Sequence, residues 1–427
     1  MAEVIPFRGI CYDPQKIDAA QVMAPPYDVI SPAAKQALFA KSPFNIVHID
    51  AGQDLPEDNE TGNKYTRAAS FIDEWQKKGV LKEAERPCLY AYEVRYLIKG
   101  KPKKLLGVFA MVKLQPLGQG VYPHECTHSK ARSDRLSLIK ATGMNTSPVF
   151  SFYENTHGGT SGVLNRFSEG GVPPFLEASD ADGFRHRLWV IDSPEEIAAF
   201  RKDLEGKPVF IADGHHRYET ALEHQRQRRE ELGLAPGQME DAPFNYVMMF
   251  LANISDGGLT VLPTHRLLKL PDPSALRSKV PDVMGEHFET RELPPDTGIL
   301  QSMKGMKNTF GIYTGGKGYI AVYDGMDLGD FHPALRELDV VILHEFVLGK
   351  KLHPSEIAYE MDPSRATELV DSGQWDAAFF LNPTSVNEVM EVALSGQRMP
   401  PKSTYFYPKI MTGFVMGRVD GPGKNRA

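Results

Sequence analysis

The sequence predicts an α/β protein built on mixed sheets, and three observations lead there. An apolar, β-branched run from Val209 to Ile211 stops at Asp213-Gly214, after which Tyr218, Ala221 and Leu222 recur at helical spacing. That pattern reads as strand, tight turn and helix. Alternating apolar runs at 89–97, 104–113, 246–253, 259–267 and 309–323 read as further strands. Between them lie helical patterns, at 66–82, 194–200, 338–348, 363–372 and 385–394.

Taken in order, the first fifty residues are rich in turns. In Met23-Ala-Pro-Pro-Tyr-Asp-Val-Ile-Ser-Pro32, three prolines preset an extended loop that holds Tyr27 and Asp28 in place. Asp28 is a candidate catalytic carboxylate or metal ligand, or a cap for the helix that opens at Pro32; Ser31 is better placed for the capping role. Phe71 and Trp75 mark the buried side of the helix expected over 66–82. The runs 89–97 and 104–113, joined by Lys99-Gly-Lys-Pro, read as a β-hairpin with a slightly long loop, at a sheet edge or in a barrel.

A dense polar cluster follows, His124-Glu-Cys-Thr-His-Ser-Lys-Ala-Arg-Ser-Asp-Arg135. Its His124-Glu-x-x-His128 spacing imitates a zinc-protease helix, but Tyr122-Pro123 before it and basic residues after it do not make a buried helix. A phosphate or polar substrate suits His124, Glu125 and Arg135 better. The charged run 223–231 reads as a solvated face, and the loop 232–243 ends this part of the fold. Beyond it, Thr264-His265-Arg266 sits at a strand end, and Lys402, Ser403, Thr404 and Lys409 could reach an anion.

The central turn, Asp213-Gly-His-His-Arg-Tyr218, carries the strongest chemical signal. A helix N-terminus offers free N–H groups and a positive dipole end, and His215, His216 and Arg217 add three side-chain donors for phosphate oxygens. Gly214 lets the backbone approach a ligand closely.

Composition frames these readings. The 427 residues are 41% hydrophobic, enough for two or more domains with sizeable cores. Lys and Arg total 48 against 55 Asp and Glu, a formal charge of −7 that argues against a broad nucleic-acid-binding face. Cys11, Cys88 and Cys126 are odd in number and far apart, which fits neither a disulfide framework nor a zinc site. With no signal-peptide pattern and no apolar run of bilayer length, the sequence is expected to be soluble, cytoplasmic and without a membrane partner. Oligomeric state leaves no mark in it.

The motifs Ala24-Pro-Pro-Tyr-Asp-Val-Ile-Ser31, Ala212 to Ala221, Tyr246-Val-Met-Met-Phe250, Leu262-Pro-Thr-His-Arg266 and Lys402-Ser-Thr-Tyr-Phe-Tyr-Pro408 together resemble domain-of-unknown-function family 1015, whose members are often labelled ParB-like. The central turn is similar to the Gly-Glu-Arg-Arg phosphate box of ParB partition proteins, which bind CTP. It is closer to the Asp-Gly-His-His-Arg box of free serine kinases, which transfer phosphate to L-serine. The resemblance implies His215, His216 and Arg217 on the phosphates, and Asp213 near a metal or the acceptor. It also implies a carboxylate base, for which Asp28 comes first and Glu125 second.

The expectation is therefore a ParB/serine-kinase-like domain over 1–240 and a mixed α/β domain over 241–427 that closes the site. The function expected is nucleotide-dependent phosphorylation of free L-serine or a similar hydroxy amino acid. ATP or ADP is the expected donor, CTP and pyrophosphate stand as alternatives, and Mg²⁺ is held by Asp213. A nucleotide-binding switch without turnover and a metal-dependent hydrolase using His124 and His128 are carried beside it. No helix-turn-helix pattern follows the box, which argues against DNA partitioning.

Overall fold

In the computed structural model, which describes residues 2–127, 129–325 and 328–420, the chain forms two compact units. The first comprises 1–123, 127–259 and 408–427, and the second 124–126 and 260–407. Both are mixed α/β, in keeping with the predicted class.

The first unit is organised by a nine-stranded mixed sheet. Its strands run in the order Val121–Tyr122, Val209–Asp213, Val149–Tyr153, Tyr246–Asn253, Lys101–Lys113, Leu89–Ile98, Arg185–Ile191 and Leu176–Ser179, with Val4–Ile5 paired to Lys101–Lys113. The boundary expected at 240 gives way to one at 259, because Tyr246–Asn253 lies in mid-sheet, parallel to Val149–Tyr153 and antiparallel to Lys101–Lys113. All eight of its residues are buried, as a strand covered on both faces requires. The hairpin expected at a sheet edge is likewise interior, and its loop is shorter than expected. Lys99 (φ 49°) and Gly100 (φ 72°) alone make the turn, the two positive-φ positions that a tight two-residue hairpin needs.

Helix limits follow local chemistry. Asn63 and Thr66 form a capping box for Lys64–Lys77, and the helix stops before the expected residue 82 because Gly79 turns the chain at φ 64° into the strand Leu81–Glu83. Ser31, not Asp28, caps Pro32–Lys41 through a 3.3 Å bond to the Ala34 N–H. Trp189, Phe200, Tyr218 and Leu251 belong to the unit's apolar core. Among the described residues, no helix is long and apolar enough to cross a membrane.

The second unit carries a six-stranded antiparallel sheet in the order Phe288–Glu292, Lys317–Tyr323, Thr309–Thr314, Ala377–Phe380, His265–Lys269 and Glu356–Glu360. The single strand expected over 259–267 is broken at Pro263. Thr260–Leu262 pairs instead with Tyr405–Tyr407, while His265–Lys269 joins the larger sheet. The helix expected over 338–348 begins as one at Asp339–Ile342 and widens into π geometry over Leu343–Leu352.

Candidate anion site around the strand-turn-helix box

Val209–Asp213 runs parallel to Val121–Tyr122 and antiparallel to Val149–Tyr153, and its register slips between Ile211 and Asp213. Such irregularities re-aim the side chains that follow them. Gly214 then adopts φ 87° and starts the helix His215–Glu231 with no side-chain cap on its first N–H groups. Only glycine fits. A Cβ at this position would approach the Arg217 guanidinium to 2.8 Å.

Arg217 is 8% exposed. Its Nη1 donates to the Pro148 carbonyl, and its Nη2 lies 3.8 Å from Asp213 Oδ2, too far for a hydrogen bond. Its Nε and Nη2 have no hydrogen-bond partner. Buried guanidinium N–H groups are normally satisfied, so two orphaned donors mark a place for an acceptor. His215 is buried in the first turn of the helix and His216 is partly exposed beside it.

Asp213 is fully engaged. Lys409 Nζ donates to its Oδ2 at 2.9 Å and the Gly214 N–H to its Oδ1 at 2.7 Å. Burial raises its pKa, but Lys409 and Arg217 outweigh that and hold the carboxyl well below the usual range. A cation therefore already occupies the position expected to hold Mg²⁺, and Asp213 does not fit the role of metal ligand. Among the described residues, no group of three or more His, Cys, Asp and Glu side chains is arranged to hold a metal ion.

The N-terminal loop belongs to the same cluster. Tyr27 stacks on Arg135, with the guanidinium carbon 3.9 Å from the ring centre. Burial and the neighbouring Asp28 push the Tyr27 hydroxyl up to about 12, against the pull of Arg217 and Arg135. Arg135, itself buried, donates to the Asp50 carbonyl at 2.8 Å, to Asp50 Oδ1 at 3.2 Å and to Asp134 Oδ2 at 2.6 Å. Asp50 Oδ1 also accepts from Thr146 (2.7 Å) and Ser147 (3.2 Å). Asp28 is exposed on the turn and electrostatically coupled to both Tyr27 and Arg217. Arg135 and Arg217 line one small gap, and Tyr27 and Arg135 line a cleft of about 640 Å³.

Of the residues singled out from the sequence, Asp28, Arg135, Asp213, Gly214, His215, His216 and Arg217 thus belong to the first unit. His124, Glu125, Lys402, Ser403 and Thr404 belong to the second, where His124 and Glu125 bind the backbone and side chains of residues 403 and 404. Glu125 Oε1 accepts from the Ser403 N–H (2.9 Å) and the Thr404 N–H (3.3 Å), and His124 Nε2 lies 2.9 Å from Thr404 Oγ1. Ser403 donates its hydroxyl to the Pro400 carbonyl at 2.6 Å. Lys402 takes φ 59°, and its carbonyl accepts from buried Arg266 at 3.0 Å. Glu125 is therefore occupied in ordering a loop rather than poised as a base. It lies in an extended bridge to Met399, so the His-Glu-x-x-His spacing is not on a helix; His128 lies outside the described residues. The sequence reading missed Asp50, which stands in no motif, gave Asp134 no role of its own within the polar cluster, and did not find the partner of Lys409.

The family described as "Protein of unknown function (DUF1015)" matches residues 4–341. That description makes no mention of ParB, and the ParB part of the resemblance is left without support. No curated protein matches the chain. Similar solved structures include a free serine kinase in complex with AMP (15% identity, covering 72% of this chain and 92% of that chain, TM-score 0.36). A conserved hypothetical protein from Pyrococcus furiosus (15%, 72% and 95%, 0.35) and a C-terminally truncated SbnI from Staphylococcus aureus (12%, 71% and 85%, 0.36) are also similar.

Proposed function

We propose, for a chain that belongs to the DUF1015 family of proteins of unknown function, that the strand-turn-helix box binds the phosphates of a nucleotide and that the protein transfers a phosphoryl group to a small hydroxy amino acid, L-serine or a close analogue. The observation that carries this reading is the pair of orphaned donors on buried Arg217, beside an uncapped helix N-terminus at a glycine turn. A buried cation with unused N–H groups is costly unless an anion joins it. Asp213, the carboxylate nearest to Arg217, is already neutralised by Lys409, which leaves the guanidinium for a ligand.

In the reaction proposed, the acceptor hydroxyl attacks the terminal phosphorus of ATP or ADP. The bond from that phosphorus to the bridging oxygen breaks, the electron pair leaves with ADP or AMP, and the hydroxyl proton passes to Asp28. Phosphoryl transfer asks chiefly for positioning and for positive donors around the transferring group, and Arg217, His215 and His216 supply donors of that kind. Asp28 is the exposed carboxylate coupled to Arg217, and it takes no part in capping the helix that follows.

The test is to incubate the purified protein with Mg²⁺, each of ATP, ADP, CTP and pyrophosphate, and pooled hydroxy amino acids, and to search for a phosphorylated product by mass. A phosphorylated amino acid is the expected result. Nucleotide binding without product would assign a switch instead, and no nucleotide binding at all would overturn the reading.

A further inference from the structure

The cleft beside the anion site balances in formal charge, but one of its cations stands outside the ion pairs. Lys35, Lys64 and Arg135 line it, together with Asp50, Asp54 and Asp134. All three carboxylates are taken. Arg135 pairs with Asp50 at 3.2 Å and Asp134 at 2.6 Å, and Lys64 with Asp54 and Asp134, both at 3.1 Å. Tyr65 adds a 2.9 Å bond to Asp134. Lys35 is the remaining cation. Its Nζ donates to the Gly52 carbonyl at 3.2 Å, and among the described residues no carboxylate lies within ion-pair distance of it. An ammonium carries three donors, so Lys35 has two to spare.

We infer that the cleft is the acceptor subsite and that Lys35 reads a carboxylate on the acceptor, which makes the substrate a small hydroxy acid rather than a simple alcohol. The inference rests on the proposed function, with Arg217 as the phosphate anchor. Its geometry is favourable: Arg135 lines both the cleft and the gap that Arg217 borders, so a ligand in the cleft has the anion site as its neighbour. Lys35 is held there by the sequence itself. Pro32 and the Ser31 cap fix the start of Pro32–Lys41, and Lys35 falls one turn in, half-buried. Burial and the nearby Lys64 lower its pKa against the weaker pull of Asp54 and Asp134, and an anion in contact with it would favour its charged form.

The experiment is calorimetry on the full-length protein, with ADP present and divalent cations chelated so that no phosphoryl transfer contributes heat, using L-serine, glycerate and serinamide. Serinamide keeps the hydroxyl and amine of serine but lacks the carboxylate. L-Serine and glycerate are expected to bind about tenfold or more tightly than serinamide. Lys35→Gln should lower both acids to the serinamide level and leave ADP affinity unchanged, whereas Lys35→Arg should keep most of the discrimination. Equal binding of serine and serinamide, an unaffected Lys35→Gln protein, or no binding of either acid overturns the inference. So does a loss confined to ADP, which would place Lys35 on the nucleotide. If ADP affinity proves insensitive to Arg217→Met while Lys35 still discriminates the acids, the proposed phosphate anchor falls and the carboxylate subsite stands.

Discussion

Replacing Arg217 by Met separates two roles that a buried arginine can play. As a structural ion-pair member, its loss would leave Asp213 buried with an uncompensated charge, at a cost of about 3–5 kcal/mol. The structure argues for a smaller cost. Asp213 keeps Lys409 at 2.9 Å and the Gly214 N–H at 2.7 Å, while the contact to Arg217 is a 3.8 Å approach without a hydrogen bond. The substitution also removes two unsatisfied donors and a desolvated cation, and forfeits chiefly the bond to the Pro148 carbonyl, worth about 1 kcal/mol. Stability of the free protein should therefore change by less than about 1 kcal/mol, within reach of urea denaturation. Ligand binding should change far more. A charge-assisted contact contributes about 1.5–3 kcal/mol, so affinity for ADP or pyrophosphate should fall roughly ten- to a hundredfold by calorimetry. Thermal shift gives a second readout, because ligand at a hundred times Kd stabilises by about 2.7 kcal/mol, or about 5 °C for a unit of this size. That shift should appear with the natural protein and vanish at the same ligand concentration with Arg217→Met. A variant that loses several kcal/mol of stability yet binds as before would refute the reasoning and return Arg217 to a structural role.

Three further outcomes are expected. Gly214→Ala should cost about 1–2 kcal/mol for its left-handed backbone and, by driving a methyl group into Arg217, should weaken anion affinity at least tenfold; unchanged calorimetry would show that the turn is not part of the site. Asp28→Asn should melt near the natural protein and bind nucleotide normally while phosphoryl transfer drops about 10²–10⁴-fold, and normal turnover would remove Asp28 from the mechanism. In the second unit, burial pushes the Asp339 carboxyl up to about 7 against the bonds it accepts from Asn308 and Asn382. A carboxyl that holds its proton more tightly when folded contributes stability that is full below about pH 4 and is lost as pH rises to about 7. At about 1.4 kcal/mol per pH unit the effect is roughly 4 kcal/mol at most. Asp339→Asn should flatten that slope in urea titrations from pH 4 to 8 and be the more stable protein at pH 8; a slope that survives the substitution would place its origin elsewhere.

The elements most legible in the sequence were those specified by local chemistry. Val209 to Leu222 announced strand, turn and helix through apolar spacing and a glycine, and Ser31 marked a helix start through its own cap. Errors arose where distant chain decided. Tyr246–Asn253 reads as one more buried strand, and only its pairing with Val149–Tyr153 and Lys101–Lys113 assigns it to the first unit rather than the second. At the site, the box and the Tyr27–Asp28 loop were visible because prolines, glycine and paired histidines are locally unusual. Asp50 was not, since an acid at the end of the short helix Val47–Asp50 has no signature until Arg135, Thr146 and Ser147 converge on it. Glu125 misled for the opposite reason: density of charge in sequence resembled a reactive cluster, whereas its oxygen is spent on the backbone of residues 403 and 404.

The discontinuity of the first unit bears on when the protein can become competent. Its sheet is complete once Asn253 has been made, but Lys409, which neutralises Asp213, and Gly417–Arg418, which pairs with Met144–Asn145, arrive only after the whole second unit has been synthesised. At ribosomal rates of about 5–20 residues per second, that interval lasts about 10–30 s. Until then Asp213 faces Arg217 without its ammonium, and the two opposite charges compete with any anion for each other. A chain cut before Lys409 should therefore display the sheet yet lack the ammonium that holds Asp213, so that completion of the sheet and completion of the box are separate events in the making of this unit.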